Sequence, residues 1–326
     1  MKEAMFYEKI NNSMLHCLLC PQDCKISDTK HGFCRARKNE NGILYSENYG
    51  IITSLAMDPI EKKPLFHFYP GSYILSAGSY GCNLRCSFCQ NWEISQQRLE
   101  GRYLSPEQLV TIAKKQEMNI GIAYTYNEPT IWYEYVLDSA KLAKKNGLKN
   151  VFVSNGFINI NPLRELLPYI DAMNIDIKAF TEDYYKRLCS GKLENVLKVV
   201  EEAIKHCHVE ITTLLVTGEN DDHEEIEKLS KWLSDIDKNI PIHFSRYFPQ
   251  YKMENPKTPY GTLKDAYDIA KKYLNYVYVG NILGFDNNTY CPNCGNLLIR
   301  RNNGIYVLGI ENNKCRKCGY SFYGCV

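Results

Sequence analysis

Apolar, β-prone runs recur along the middle of the chain at Tyr73–Ala77, Ile120–Tyr124, Asn150–Val153, Ala172–Ile177, Val209–Val216, Ile240–Phe244 and Val277–Val279. Short continuous runs of this kind fit strands buried on both faces. Segments with helical spacing fall between them. Ser105, Pro106 and Glu107 read as an N-cap, a first-turn proline and an acidic first turn, opening a helix to about Glu117. Tyr133–Lys145 carries apolar residues at helical spacing and stops at Asn146 and Gly147, a C-cap signal. Further helices are expected from Asn161 and Pro162 toward Leu167, and over Glu194–Lys205, His223–Leu233 and Thr262–Leu274. Strand then helix, repeated about six times, predicts an α/β fold with a parallel sheet. A full or partial (β/α) barrel is preferred to an open doubly wound sheet.

Both ends break this rhythm. A turn at Asn41 and Gly42 precedes extended segments near Ile43–Tyr49 and Ile51–Met57, and Pro59, Pro64 and Pro70 then punctuate the approach to the first apolar run. After Gly284, the run Asp286, Asn287, Asn288 opens a last stretch of different character. Three units are expected: an N-terminal Cys-rich module and hairpin over 1–71, a core over 72–285, and a small C-terminal unit over 286–326.

The 326 residues are 44% hydrophobic and 23% charged, and 39 Lys and Arg stand against 37 Asp and Glu, a net charge of +2. That supplies a large core and excludes disorder as the main state. Near-neutral charge gives no polyanion-attracting field, so there is no strong nucleic-acid signal. No run approaches the ~18 uninterrupted apolar residues of a membrane span, and Met1–Lys9 lacks the apolar centre of a signal peptide. A soluble cytoplasmic protein is expected.

The chain has 14 cysteines, high for that compartment, where disulfides are rarely kept. Most fall in three clusters: Cys17, Cys20, Cys24 and Cys34; Cys82, Cys86 and Cys89; Cys291, Cys294, Cys315 and Cys318. Thiolates two or three residues apart suit metal ligation better than disulfides. Cys189 and Cys207 read as small apolar core residues, and Cys325 as a spare thiol. The strand ends add to this pattern. Cys82–Cys89 follows the first run, Tyr126, Asn127, Glu128 and Pro129 the second, and Ser154, Asn155 and Gly156 the third. Asp176 and Lys178 end the fourth, and His243, Ser245 and Arg246 surround the sixth. Polar groups at the carboxyl ends of parallel strands converge on one rim, where α/β barrels build active sites.

A closed structural zinc site needs four ligands. Three on one loop, spaced Cys82-x3-Cys86-x2-Cys89, suit a [4Fe–4S] cluster with one iron left open. Over roughly residues 72–285 the chain resembles the radical SAM superfamily. The resemblance implies a partial (β/α)6-type barrel and oxidoreductase chemistry. In that family S-adenosylmethionine chelates the open iron and is cleaved by one electron to methionine and a 5′-deoxyadenosyl radical, which abstracts hydrogen. It further implies that Phe88 lies near the adenine. Tyr126–Pro129 resembles the family's Gly-Gly-Glu-Pro segment, with Glu128 keeping the carboxylate that holds the methionine amino group. Ser154 and Asn155, with Asp176 and Lys178, resemble segments of glycyl-radical activating enzymes such as pyruvate formate-lyase activating enzyme, in which the Asp-x-Lys pair serves the ribose and carboxylate side. His243 and Arg246 are candidate cofactor or substrate contacts, His243 reading as readily as a packed strand-end residue.

Flanking words extend the likeness to essentially the whole chain: Asp58–Phe68, Cys89–Ser95 and His243–Lys252. They resemble the radical SAM member of the AmmeMemoRadiSam group, which implies AMMECR-type and Memo-type proteins as partners. Radical chemistry also implies an electron donor such as ferredoxin or flavodoxin.

Each flank holds a complete set of four thiols. Cys291, Cys294, Cys315 and Cys318 form C-x2-C-x20-C-x2-C, a zinc-ribbon pattern in which one iron could also sit, rubredoxin-like. Cys17, Cys20, Cys24 and Cys34 fit neither ferredoxin run. Zinc is favoured there over an auxiliary cluster, with His16 or His31 as replacement ligands. The leading expectation is a radical SAM enzyme acting on a protein or a small molecule. The alternatives are a cluster-based electron-transfer or metal-handling protein without radical chemistry, and a radical SAM enzyme that modifies nucleic acid.

Overall fold

The predicted alternation becomes one open sheet in the structure, a computed structural model describing residues 1–326. Eight strands lie side by side in chain order: β1 (Ser54–Pro59), β2 (Tyr73–Gly78), β3 (Asn119–Tyr124), β4 (Lys149–Ser154), β5 (Ala172–Asp176), β6 (His208–Leu215), β7 (Ile242–Arg246) and β8 (Val277–Gly280). From β2 to β8 they run parallel. The edge strand β1 pairs antiparallel with β2, Ser54 opposite Gly78 and Pro59 opposite Tyr73. The two edges β1 and β8 do not pair, so the barrel is partial.

Helices α1 (Pro106–Lys115), α2 (Tyr133–Lys145), α3 (Ile160–Leu166), α4 (Leu193–Ala203), α5 (His223–Asp237) and α6 (Tyr260–Ala270) join the strands. Local chemistry sets their limits. Ser105 caps α1 in a capping box with Gln108, satisfying two otherwise orphaned N–H groups. Asp222 caps α5 by accepting from Glu224 and Glu225 N–H. Beyond α2 the chain turns at Gly147 with φ 74°, a conformation glycine adopts without strain. On α4 the buried residues Leu193, Val196, Val199, Val200 and Ala203 form one stripe.

The segment expected to be extended over Ile51–Met57 is split at Thr53. Ile51–Ile52 pairs with Arg102–Tyr103, and β1 then joins the main sheet. Residues from the 1–71 region therefore supply an edge strand of the core.

Alternation along the strands layers the barrel interior. One layer below the cavity, Ile74, Ala123, Val151 and Ala172 pack with Ile60, Leu65 and Phe68. The same layer on the other side is polar, with Glu210 and His243 buried and hydrogen-bonded at 2.7 Å. One alternation higher, Val153, Asn174, Thr212 and Ser245 line a cavity at the strand ends.

The flanking units dock at opposite ends. In the N-terminal module, Arg37 is fully buried and ion-paired with Glu134 of α2, and Trp132 Nε1 donates to Asn48 O at 2.7 Å. The C-terminal unit reaches under the barrel. Arg301 donates to Phe66 O at 2.6 Å, Cys325 N–H donates to His67 O at 2.8 Å, and Tyr323 OH donates to Val209 O at 3.1 Å.

Candidate active site

A cavity of about 470 Å³ opens at the carboxyl ends of the strands, a size suited to a small-molecule cofactor. Cys82, Cys86 and Cys89 line it, on the loop after β2. Backbone holds this loop in place. Leu84 N–H points at Cys82 Sγ at 3.3 Å, Arg85 N–H donates to Cys189 O at 2.8 Å, and Ser87 N–H donates to Leu188 O at 3.0 Å. Burial pushes the Cys82 thiol well above its ordinary pKa, with the Glu128 charge adding to the effect. Contact with the Cys189 thiol, and then burial, do the same for Cys86. Thiols in such surroundings stay protonated until a metal takes the proton's place.

Glu128 enters from the loop after β3 and is 3% exposed. Its Oε1 accepts from Thr130 N–H at 3.0 Å and Ser154 Oγ at 2.7 Å, and its Oε2 from Asn155 N–H at 2.8 Å. A carboxylate offers about four acceptor positions, so one remains facing the cavity. No cationic side chain pairs with it among the ion pairs of the chain. Burial lifts its pKa above the usual carboxylate range, which these hydrogen bonds only partly oppose. The residue before it in the resembling Gly-Gly-Glu-Pro segment is Asn127, whose side chain accepts from Ser79 N–H and donates to Gly81 O. Tyr126 stands where that segment has its first glycine. It takes the left-handed conformation, φ 72°, that glycine would adopt freely.

Ser154, Asn155, Phe88, Asp176 and Lys178 line the same cavity. Asn155 Nδ2 lies 3.7 Å from Cys82 Sγ and links the carboxylate side to the thiol loop. Asp176 and Lys178 pair at 2.8 Å. Burial works against the Lys178 charge, but Asp176 beside it raises the ammonium above its ordinary pKa. Phe88 is buried and tilted against Tyr184.

The structure does not bring His243 and Arg246 to this cavity. In β7, Ser245 takes the cavity-facing position, and His243, two residues earlier on the same face, lies one layer down. There its Nε2 meets Glu210 Oε2 at 2.7 Å, and its ring stacks on Tyr278. Arg246 Nε donates to Thr258 O at 2.8 Å.

Other residues at the site carried weaker sequence signals. Asp58, at the end of β1, accepts from Lys63 Nζ at 2.8 Å and Tyr126 OH at 2.5 Å, and all three line the cavity. Burial opposes ionisation of Asp58, yet Lys63 and Tyr126 hold its pKa down to about 2. An acid and two lysines inside a proline-broken apolar stretch were its signal. Cys189 had none.

The four C-terminal thiols gather tightly. Their sulfurs all lie within 4.8 Å of one another, with Cys291–Cys318 at 3.5 Å and Cys294–Cys315 at 3.7 Å. Gly295 and Gly319, at φ 68° and 75°, let each knuckle turn back on its first cysteine. Tetrahedral thiolates at about 2.3 Å from one ion stand roughly 3.8 Å apart, so this cluster can hold a metal. Cys17, Cys20, Cys24 and Cys34 line a separate small cavity, and His16 and His31 do not join them. His16 is held by Glu8 at 2.9 Å and Asp23 at 2.5 Å, and His31 by Glu47 at 2.6 Å. No helix is long and apolar enough to cross a membrane.

Comparisons with known proteins bear on the family and the fold. A family model described as the radical SAM superfamily matches residues 77–233. An uncharacterised protein of Methanocaldococcus jannaschii is 44% identical over 330 residues, covering 98% of each chain. The pyruvate formate-lyase-activating enzyme of Clostridium pasteurianum is 28% identical over 168 residues, 48% of this chain and 67% of that one. Among solved structures, a radical SAM methyltransferase from Sphaerobacter thermophilus superposes with a TM-score of 0.52 over 65% of this chain and 67% of its own, at 14% identity, a likeness of fold alone.

Proposed function

We propose that this chain, which belongs to the radical SAM superfamily, binds a [4Fe–4S] cluster through Cys82, Cys86 and Cys89 and cleaves S-adenosylmethionine reductively. One observation carries the reading. Three thiols, that of Cys86 buried and those of Cys82 and Cys89 half-buried, share one cavity with a buried carboxylate that has no cation of its own, a donor set suited to a cluster lacking one protein ligand and to a ligand bearing an ammonium group. Bound there, the cluster and S-adenosylmethionine would together supply a 5′-deoxyadenosyl radical for hydrogen abstraction from a protein or small-molecule substrate.

The chain's own residues position and shield. Glu128 accepts the methionine ammonium at its free position, while Thr130, Ser154 and Asn155 fix the carboxylate so that no reorientation is needed on binding. Asn155, touching Cys82, sets the distance between that end of the ligand and the thiol loop. The Asp176–Lys178 pair faces the ribose and carboxylate with one acceptor and one donor, and Phe88 gives the adenine an apolar wall. The whole-length words at Asp58–Phe68, Cys89–Ser95 and His243–Lys252 support membership of the AmmeMemoRadiSam group, with AMMECR-type and Memo-type partners.

Anaerobically reconstituted protein given dithionite should convert S-adenosylmethionine to 5′-deoxyadenosine, and Cys86→Ala should abolish the product. Undiminished product from Cys86→Ala would refute the assignment.

A further inference from the structure

The cavity holds a second polar cluster that the cofactor leaves without a task. We propose that Lys63, with Lys62 beside it, anchors the substrate by an anionic group, which makes the substrate a small carboxylate or phosphate compound and not a protein glycine. That the anion belongs to a substrate rests on the radical SAM reading. That an anion binds there rests on the cluster's own geometry.

Lys63 is a buried ammonium short of partners. Its side chain is 3% exposed, and Asp58 Oδ2, at 2.8 Å, is its only hydrogen-bond acceptor in the chain. The Tyr126 ring covers a second side, its centroid 4.6 Å from Nζ. An ammonium has three N–H donors, so at least one is left, and Lys63 lines the cavity. Burial pulls its pKa below the ordinary lysine value, and Asp58 only partly opposes this, so a second anion would stabilise the charge. Asp58 is itself fixed: its Oδ2 also accepts from Tyr126 OH at 2.5 Å, and its Oδ1 faces Lys62 Nζ at 3.4 Å. Lys62 lines the cavity too, with most of its side chain exposed. One carboxylate between two ammonium groups leaves this wall with a net positive charge.

The cluster sits lower than the cofactor groups. Asn174 Nδ2 donates to Pro64 O at 2.9 Å, which ties the residue after Lys63 to the level of Asn174. Asn174 is two residues before Asp176 on the same face of β5, about 7 Å deeper in the barrel. Glu128 and Asp176 are the only other carboxylates in the lining, and both stand at the rim, where they do not repel an anion on the floor. A cavity of about 470 Å³ that must first admit S-adenosylmethionine leaves space beneath it for a small molecule, not for a peptide loop.

The test uses anaerobically reconstituted full-length protein without S-adenosylmethionine, with inorganic phosphate and acetate as probes followed by phosphorus and carbon NMR. At least one ion should bind, and Lys63→Gln, its fold checked by circular dichroism, should weaken that binding by about tenfold or more. Preference for phosphate identifies a phosphate compound, and preference for acetate a carboxylate. Binding of neither ion, or equal binding by the two proteins, would overturn the proposal. S-adenosylmethionine added afterwards should leave the ion in place; displacement would make Lys63 a contact of the cofactor carboxylate and overturn the proposal equally. The native chain gives a second reading that needs no substitution. Reductive methylation of Lys63, mapped by peptide mass spectrometry, should slow in proportion to ion occupancy, and an unchanged rate would count against the site. Failure to form 5′-deoxyadenosine would refute the reaction and leave the binding result standing, whereas absent binding with 5′-deoxyadenosine formed would refute the anion site alone.

Discussion

Glu128 and Glu210 are both buried in the same barrel, one at each end, and they behave as opposites. At the upper end Glu128 accepts three hydrogen bonds and has one acceptor position open to the cavity. At the lower end Glu210 accepts four, from Phe66 N–H at 3.0 Å, His67 N–H at 2.7 Å, His208 Nε2 at 2.9 Å and His243 Nε2 at 2.7 Å. Four donors fill a carboxylate. Burial raises the Glu128 pKa. Burial opposes ionisation of Glu210 too, but His208 and His243 hold its pKa well below the usual carboxylate range. A buried polar group with every partner present is structural; one with a partner missing is prepared for a ligand. That distinction sorts the sequence-level candidates, and it puts His243 with the structure.

Glu210→Gln should produce the largest effect on stability. The amide would set an NH2 against donors that now meet carboxylate oxygen, breaking a cluster that also anchors the backbone of Phe66 and His67. A loss of about 3–5 kcal/mol in unfolding free energy is expected, read by denaturant titration of the full chain. A change under about 1 kcal/mol would erase the contrast between the two ends.

Glu128→Gln should reverse the pattern, costing binding more than stability. Its NH2 would face Asn155 N–H, for a stability loss of about 1–2 kcal/mol. Losing a charge-assisted bond to an ammonium should weaken S-adenosylmethionine binding by roughly tenfold to a hundredfold, measured by calorimetry on reconstituted protein. Equal affinity in the two proteins would leave the open acceptor without a purpose.

The lower end should also give the chain its acid sensitivity. Burial pushes His67 down to about 3, against the neighbouring Glu210 charge. Between about pH 6.5 and 3 the unfolded chain therefore binds a proton that the folded chain refuses. Stability contributed by neutral His67 is complete above that window and falls as pH drops through it, and the depressed Glu210 works in the same direction at lower pH. His67→Gln keeps hydrogen-bonding capacity for Tyr278 OH and Tyr323 O but cannot titrate in this range. Its denaturation midpoint should vary less between pH 7 and 4 than that of the native chain.

These two ends were unequally legible in the sequence. Strand and helix periods depend on local pattern, so Tyr133–Lys145 was placed to the residue and the strands to within about two positions. The rim loops were found for the same reason: each polar group directly follows its own strand. What failed was register and distance. A start two residues later than expected dropped His243 a layer, because alternation converts a small shift along a strand into a different environment. Asp58 meets Tyr126 across 68 positions of chain, and Cys189 meets Cys86 with no neighbouring cysteine to mark it. Neither contact has a local signature. The Glu210 cluster draws on Phe66, His67, His208 and His243, which only the closed barrel brings together.

The smallest effect on catalysis should come from the C-terminal thiols, and its smallness is informative. Cys291→Ser with Cys315→Ser removes two ligands of a cluster whose metal-binding energy is folding energy for a unit with few buried apolar residues of its own. Local order there should be lost and the metal content should fall by about one ion per chain. Arg301 would then leave Phe66 and Tyr278, so the barrel floor should lose some thermal stability. The cavity lies at the other end, and none of its lining comes from residues after Asn281. Cleavage of S-adenosylmethionine per folded molecule should therefore stay within about twofold of the native chain. A large loss, with the barrel cluster intact by EPR, would mean that the floor and the cavity are mechanically joined. The two buried glutamates would then be parts of one device.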